Sequence, residues 1–312
     1  MMDLSNKNLQ CKLWFLLDLM LQSRVSKSPI ILSGFWRSGT TWVQQVVAES
    51  ICAKTQFEPF EPNALCPLHG GAGFDPIQGA YIPLTWDVFS EKDFRFLDLV
   101  FKGISPKRSS FNYFARRSWQ ECLSDRVVVK FVRAQFILPA LMQRYKTQGV
   151  VHISRHPMAV IQSLMNAKWE WDFANIDLSD LYWRENELSI CPLWEELKVY
   201  KNASKEEKIA ALWALSEREV RQSENIVFVK YEELLKEPDV GFSNVLKMLG
   251  LQVKKRVDYS KDSPVTASNR VGASLEERLN SWRTNMPRDS QIKVRAVLRS
   301  LWPEVDKEWE LG

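Results

Sequence analysis

Four runs of consecutive apolar, largely β-branched residues punctuate the chain, and each gives way to a pattern with helical spacing. P-I-I-L-S-G at 29–34 leads into a helix from Thr41, and R-V-V-V-K-F at 126–131 leads into A-Q-F-I-L-P-A-L-M-Q-R-Y. G-V-V-H-I-S-R at 149–155 leads into a helix from about Met158. N-I-V-F-V-K-Y at 225–231 leads into E-E-L-L-K-E-P and a longer helix ending near Gly250. Strands that are apolar throughout and alternate with helices are those of a parallel sheet covered on both faces. The pattern predicts an α/β fold: a central parallel sheet with flanking helices, residues 1–312 forming a single domain. Ligands of such sheets bind beyond the carboxyl ends of the strands. Those ends carry Gly34, Arg155 and Tyr231.

Two stretches break the alternation. Residues 56–125 are rich in proline and aromatic residues, and residues 166–203 carry Trp169, Trp171, Trp183 and Trp194 among acids. Both read as insertions over the binding edge of the sheet, where long loops in compact domains are often functional. The tryptophans suit a substrate cleft or the core. S-K-E-E at 204–207 resembles a capping box and would start a helix delivering Ile209, Leu212, Trp213 and Leu215 to the core. The tail from 254 is rich in Arg and Lys and shows no strong strand signal. No internal repeat or low-complexity tract is visible.

Composition narrows the function. Of 312 residues, 45% are hydrophobic and 26% charged, with a net charge of +4. That mild basicity suits an anionic ligand, and no Arg/Lys tract with interleaved aromatics points to nucleic acid. Five cysteines (11, 52, 66, 122 and 191) show no metal spacing and read as reduced thiols, which suits a cytoplasmic protein. Three histidines, at 69, 152 and 156, leave little for a metal centre. The apolar segment 13–21 includes Asp18 and falls well short of the ~20 residues that span a bilayer. It reads as an amphipathic helix packed on the domain.

The first strand runs into G-F-W-R-S-G-T-T, with Gly34 and Gly39 bounding a turn before a helix. Backbone N–H groups in such a turn converge on an anion, and the helix N-terminus adds partial positive charge. A nucleoside triphosphatase would read G-x-x-x-x-G-K-S/T. Here Thr40 takes the place of the lysine, a cation (Arg37) lies inside the turn, and no strand ends in a clear magnesium-binding aspartate. A nucleotide suits the turn; Mg-ATP hydrolysis does not.

S-G-F-W-R-S-G-T-T-W resembles the 5′-phosphosulfate loop of the sulfotransferases that use 3′-phosphoadenosine 5′-phosphosulfate (PAPS). That loop commonly reads P-K-S-G-T-T-W, with R-S-G in the carbohydrate and tyrosyl-protein branches. The resemblance implies that Arg37, Ser38, Gly39, Thr40 and Thr41 hold a single phosphosulfate with no metal. Trp42 then matches the loop tryptophan near the adenine. R-H-P-M-A-V-I-Q-S resembles the family's 3′-phosphate motif, with Arg155, Pro157 and Ser163 on the matching positions. Arginine makes forked bonds to phosphate, and proline suits a first helical turn. V-K-Y-E-E-L-L resembles the Y-E-D-L segment, whose tyrosine corresponds to Tyr231. N-R-V-G at 269–272 matches the R-K-G loop only at Arg270 and Gly272. The resemblance covers residues 30 to about 275.

A sulfuryl acceptor must lose a proton as it attacks sulfur. The cytosolic branch uses the histidine of K-T-H-L-P. Here that stretch is K-F-V-R-A, ending in a matching Leu138-Pro139, and Val132 stands in the histidine's place. The carbohydrate branch often places a glutamate followed by proline 21 residues after the loop arginine. That position is Glu58, followed by Pro59, with Glu61 a rival three residues on. Arg37 is the expected leaving-group cation. Lys130 matches the lysine of K-T-H-L-P. Arg133 suits an acidic acceptor or solvent, and His69 could reach a substrate. His152 reads as a core histidine, and His156 suits either the nucleotide or a helix cap.

The expectation is a PAPS-dependent sulfotransferase acting on a hydroxyl of a glycan or other polar small molecule. The alternatives are a P-loop kinase and a catalytically silent nucleotide-binding protein of the same fold.

Overall fold

The computed structural model describes residues 16–17, 19–60, 86, 89–104, 121, 123–166, 192–259 and 273–311. Among these, β1 (Ile30–Gly34), β2 (Lys54–Phe57), β3 (Val127–Phe131), β4 (Gly149–Ser154) and β5 (Ile226–Lys230) form one sheet. Their order is β2-β3-β1-β4-β5, and every neighbouring pair is parallel. The helices are α1 (Thr40–Ser50), α2 (Glu91–Phe101), α3 (Leu138–Tyr145), α4 (Pro157–Met165), α5 (Pro192–Leu197) and α6 (Lys205–Arg221). They continue with α7 (Tyr231–Lys236), α8 (Pro238–Met248), α9 (Leu275–Asn285), α10 (Arg288–Leu301) and α11 (Val305–Glu308).

Side chains alternate across each strand, and in β1, β3 and β4 both sides are largely apolar. Ile30, Leu32, Val128 and Val151 pack on Val43 and Val47 of α1 and Phe242 and Val245 of α8. Ile31, Val127, Val129 and Val150 pack on Leu97 and Val100 of α2 and Leu141 of α3. A third cluster joins α4, α6, α9 and α10 around Trp213. Full burial of each such side chain stabilises by about 1.5–3 kcal/mol, which makes this layering the main source of stability. The helix expected after S-K-E-E forms as α6: Glu207 accepts from the amide and hydroxyl of Ser204 at 3.0 and 2.6 Å. Ile209, Leu212, Trp213 and Leu215 are all buried.

One expectation needs correction. The stretch 56–125 is not wholly an insertion over the sheet. It opens inside β2, which pairs with β3 from Lys54↔Val127 to Phe57↔Lys130, and it includes α2, whose Phe96, Leu97, Val100 and Phe101 are core residues. The described part of 13–21 packs on one side only: Leu17 and Leu21 are half-buried, while Leu16, Leu19 and Met20 are 49%, 38% and 79% exposed. Trp169, Trp171 and Trp183 lie outside the described residues. No helix among the described residues is long and apolar enough to cross a membrane.

The topology also fixes where a ligand fits. From β1 the chain departs through α1 toward β2 on one side of the sheet order, and from β4 it departs toward β5 on the other. Neighbouring strands whose connections diverge leave a crevice at their carboxyl ends. Gly34 and Arg155 face each other across it. A separate cavity of about 950 Å³, lined by Met142, Gly149 and Asn225 among others, lies at the amino ends of β4 and β5 instead.

Candidate functional site

The turn between β1 and α1 has the backbone its glycines require. Gly39 has φ +84°, and a Cβ there would lie 2.4 Å from the ring of Tyr231. A Cβ on Gly34 would meet the Ile153 carbonyl oxygen and the Thr40 methyl at 2.6 Å. Arg37, also left-handed at φ 65°, turns its side chain across the crevice. Its Nε donates to Ser163 Oγ on α4 at 2.9 Å. Arg155, one residue beyond β4, returns the connection: Nη1 donates to the Arg37 carbonyl at 2.8 Å and Nη2 to the Arg278 carbonyl at 3.2 Å. Its guanidinium lies 4.7 Å from the centre of the Tyr231 ring. Trp42 meets Tyr231 edge-on at 6.0 Å and Phe242 at 5.2 Å, which makes it part of the core as well as a neighbour of the site.

Pro157 occupies the first turn of α4, as its fixed φ and missing N–H favour. His156 precedes it and does not cap the helix with its side chain. Its ring stacks on Trp282 at 4.5 Å, and its amide donates to Glu232 Oε1 at 3.0 Å. Burial lowers His156 to about 4 and raises the Glu232 carboxyl.

The remaining edge of the crevice comes from β2 and β3. Lys130, only 3% exposed, donates from Nζ to Thr41 Oγ1 at 3.3 Å and lies 3.5 Å from the centre of the Phe57 ring. Glu58 follows β2 with φ 45° and is 2% exposed. Its Oε2 accepts the amide of Val132 at 2.7 Å, so the carboxylate lies against the position that a histidine would hold in K-T-H-L-P. Its Oε1 lies 3.2 Å from Arg133 Nη1 but makes no hydrogen bond. Arg133, 3% exposed, pairs with this carboxylate rather than with solvent, and its guanidinium is 5.1 Å from the centre of the Trp36 ring.

The sequence candidates thus converge. Arg37, Ser38, Gly39, Thr40, Thr41, Trp42, Arg155, Ser163 and Tyr231 share one crevice, and Glu58 joins it through Arg133, Trp36 and Lys130. Glu61, His69, Arg270 and Gly272 lie outside the described residues. Sequence reading missed the Arg278 carbonyl, although α9 opens with the capping box S-L-E-E at 274–277. It also missed Glu217, an acid on the apolar stripe of α6 one turn after Trp213. Glu217 lies under the sheet with His152, which is a core histidine as expected.

Chemically the crevice is built for an anion. Arg155 is nine-tenths buried, beside the half-buried Arg37. Ser38 Oγ and Arg155 Nε are buried with no hydrogen-bond partner, and such groups ordinarily have one. Among the described residues no three His, Cys, Asp or Glu side chains converge as a metal site.

Comparison with known proteins identifies the family. A family model described as "Sulfotransferase family" matches residues 29–255, more than two thirds of the chain. No curated protein matches. Among solved structures, the sulfotransferase domain of the Synechococcus PCC 7002 olefin synthase is 16% identical, with 88% of this chain and 94% of that one covered and a TM-score of 0.40. Mouse sulfotransferase SULT7A1 complexed with PAP is 14% identical, with 93% and 90% covered and a TM-score of 0.43. The sulfotransferase domain from the curacin biosynthetic pathway is 14% identical, with 92% and 99% covered and a TM-score of 0.44. By the extent of the family match, this chain belongs to the sulfotransferase family.

Proposed function

We propose that the chain transfers a sulfuryl group from PAPS to a hydroxyl of a glycan or other polar small molecule. The observation that carries this reading is the pair of bonds from Arg37 to Ser163 and from Arg155 to the Arg37 carbonyl. They join the 5′-phosphosulfate motif to the 3′-phosphate motif, and Ser38 Oγ and Arg155 Nε beside them are buried without a hydrogen-bond partner. PAPS supplies an activated sulfur and leaves as 3′-phosphoadenosine 5′-phosphate (PAP).

In this reading the amides of Ser38, Gly39, Thr40 and Thr41 hold the phosphosulfate. Arg155 and Ser163 hold the 3′-phosphate. Tyr231 and Trp42 flank the adenine, and Arg270 and Gly272 close over the 3′-phosphate. Arg37 stays charged and stabilises the leaving phosphate as negative charge gathers there. Lys130, bonded to Thr41, adds a second cation.

Glu58 takes the acceptor's proton, with Glu61 the alternative base. The acceptor oxygen bonds to sulfur as the bond from sulfur to the phosphate oxygen breaks. An ionised carboxylate offers about four lone-pair sites. Val132 and Arg133 orient Glu58, and Oε1, ion-paired but not hydrogen-bonded, is the oxygen left for the proton.

Calorimetric titration with PAP, AMP and Mg-ATP, with and without EDTA, tests the nucleotide. Binding that needs the 3′-phosphate and ignores EDTA is expected. Equal affinity for PAP and AMP would refute the assignment of Arg155 and Ser163.

A further inference from the structure

Beneath the crevice, on the α6 face of the sheet, lies a polar layer that the proposed chemistry does not use. Ser33 and His152 are paired neighbours on β1 and β4. His152 Nδ1 lies 3.1 Å from Ser33 Oγ, and Nε2 lies 3.0 Å from Glu217 Oε1. Glu217 Oε2 accepts from Ser154 Oγ and from Arg221 Nη1, the latter at 2.6 Å. Ser33, His152 and Glu217 are all 0% exposed, and Ser154 is 2% exposed. Arg221 continues outward to Glu308 at 3.6 Å.

Packing alone does not call for this arrangement. Two residues back along the same strand faces, Ile31 and Val150 fill the layer with hydrocarbon. A buried ion pair is often no more stabilising than well-packed apolar residues of similar volume. What the acid supplies is direction. Ser33 immediately precedes Gly34, where the anion-binding turn begins, and Ser154 immediately precedes Arg155. Both hydroxyls reach one carboxylate, directly from Ser154 and through the His152 ring from Ser33. The β1–β4 ladder sets the two strands side by side up to Gly34↔Ile153, the shared carboxylate ties the side chains at the upstream ends of turn and arm to one another, and the Arg155–Arg37 bond joins them downstream.

We infer that Glu217 is a positioning residue that steadies the turn at 34–39 relative to the arm that starts at Arg155. The inference rests on the nucleotide reading above and concerns only how its two phosphate-binding elements are held relative to one another. Neither the turn nor Arg155 touches Glu217; it acts through Ser33, His152 and Ser154. Its signature is a loss of discrimination for the second phosphate rather than a uniform loss of affinity.

PAP and AMP affinities are measured by calorimetry for the wild-type chain, Glu217→Gln, Arg155→Ala and the double variant. Glu217→Gln is expected to weaken PAP about tenfold and AMP less than about threefold, the size of one charged hydrogen bond transmitted through neighbours. In the Arg155→Ala background the same change is expected to cost PAP less than about threefold, because coupled residues are not additive. Ser154→Ala, which leaves Glu217 paired with His152 and Arg221, gives the same comparison at smaller amplitude if Glu217→Gln does not fold. A wild-type chain that does not prefer PAP overturns both readings. A preference that Glu217→Gln leaves intact, or reduces equally with and without Arg155, overturns the role of Glu217 alone.

Discussion

Arg155 and Arg37 lie 118 positions apart in sequence, yet Arg155 Nη1 donates to the Arg37 carbonyl at 2.8 Å. The arginine proposed to hold the 3′-phosphate therefore also shapes the turn proposed to hold the 5′-phosphosulfate. Arg155→Lys keeps the charge but loses the fork that spans two acceptors. It is expected to weaken PAP about 10–100-fold, the range of one or two charge-assisted hydrogen bonds. AMP affinity also falls, by a smaller factor, because the turn relaxes. Calorimetry on both ligands reads this out, and equal losses would mean that Arg155 serves the turn alone.

Glu58→Gln removes the proposed base while keeping a group that can accept from Val132. Turnover of PAPS with an acceptor found by screening sugars and phenols is expected to fall about 10²–10⁴-fold. PAP affinity should stay within about twofold. Undiminished turnover would assign the proton transfer to Glu61.

Gly39→Ala tests the turn itself. The φ of +84° opposes a side chain, and the added methyl would lie 2.4 Å from the Tyr231 ring. The backbone strain alone costs about 1–2 kcal/mol, and displacement of Tyr231 adds to it. A lower Tm together with PAP binding at least tenfold weaker is expected. Normal values for both would show that the turn adapts.

Acid should destabilise the fold in two stages. His156 is held down to about 4 from an ordinary 6.5, chiefly by burial and then by Arg283 and Arg155, against the Glu310 carbonyl. The unfolded chain takes up this proton first, so stability from His156 is complete above pH 6.5 and is lost as pH falls toward 4. The loss is on the order of 2–3 kcal/mol. Burial alone would raise Glu217, but His152, Arg221 and Ser154 hold it down to about 2. Its contribution is complete above about pH 4.5 and is lost as pH falls toward 2. Urea unfolding of wild type and His156→Phe at pH 7.5 and 4.5 separates the first stage. The variant is expected to lose less stability over that interval.

Much of this architecture was legible in the sequence because β1, β3 and β4 are largely apolar on both sides. The runs at 29–34, 126–131, 149–155 and 225–231 each became a strand. β2 escaped because K-T-Q-F is short and polar: Lys54, Thr55 and Gln56 are buried despite their chemistry. Gln44 on α1 donates to the carbonyls of Gln56 and Val128, a support supplied by tertiary structure rather than local pattern. The two phosphate motifs could be read because their spacing is local. The pairing of Glu58 with Arg133 could not, since the partners come from different strands and meet only when β2 docks on β3. The exposure of Leu16, Leu19 and Met20 was hidden for a related reason: an apolar stripe does not name the surface that covers it.

The carbonyls near the end of the described chain reach far back. Glu308 accepts from Lys230 Nζ at 2.9 Å, and Glu310 lies 3.1 Å from His156 Nε2. Lys230 and His156 adjoin Tyr231 and Arg155, so the walls of the crevice are braced by residues that leave the ribosome long after the turn at 34–39. Contacts this distant in sequence form late, because loop closure must precede them. During synthesis the sheet and its turn precede their own braces, which are complete only once the residues near 310 have been made.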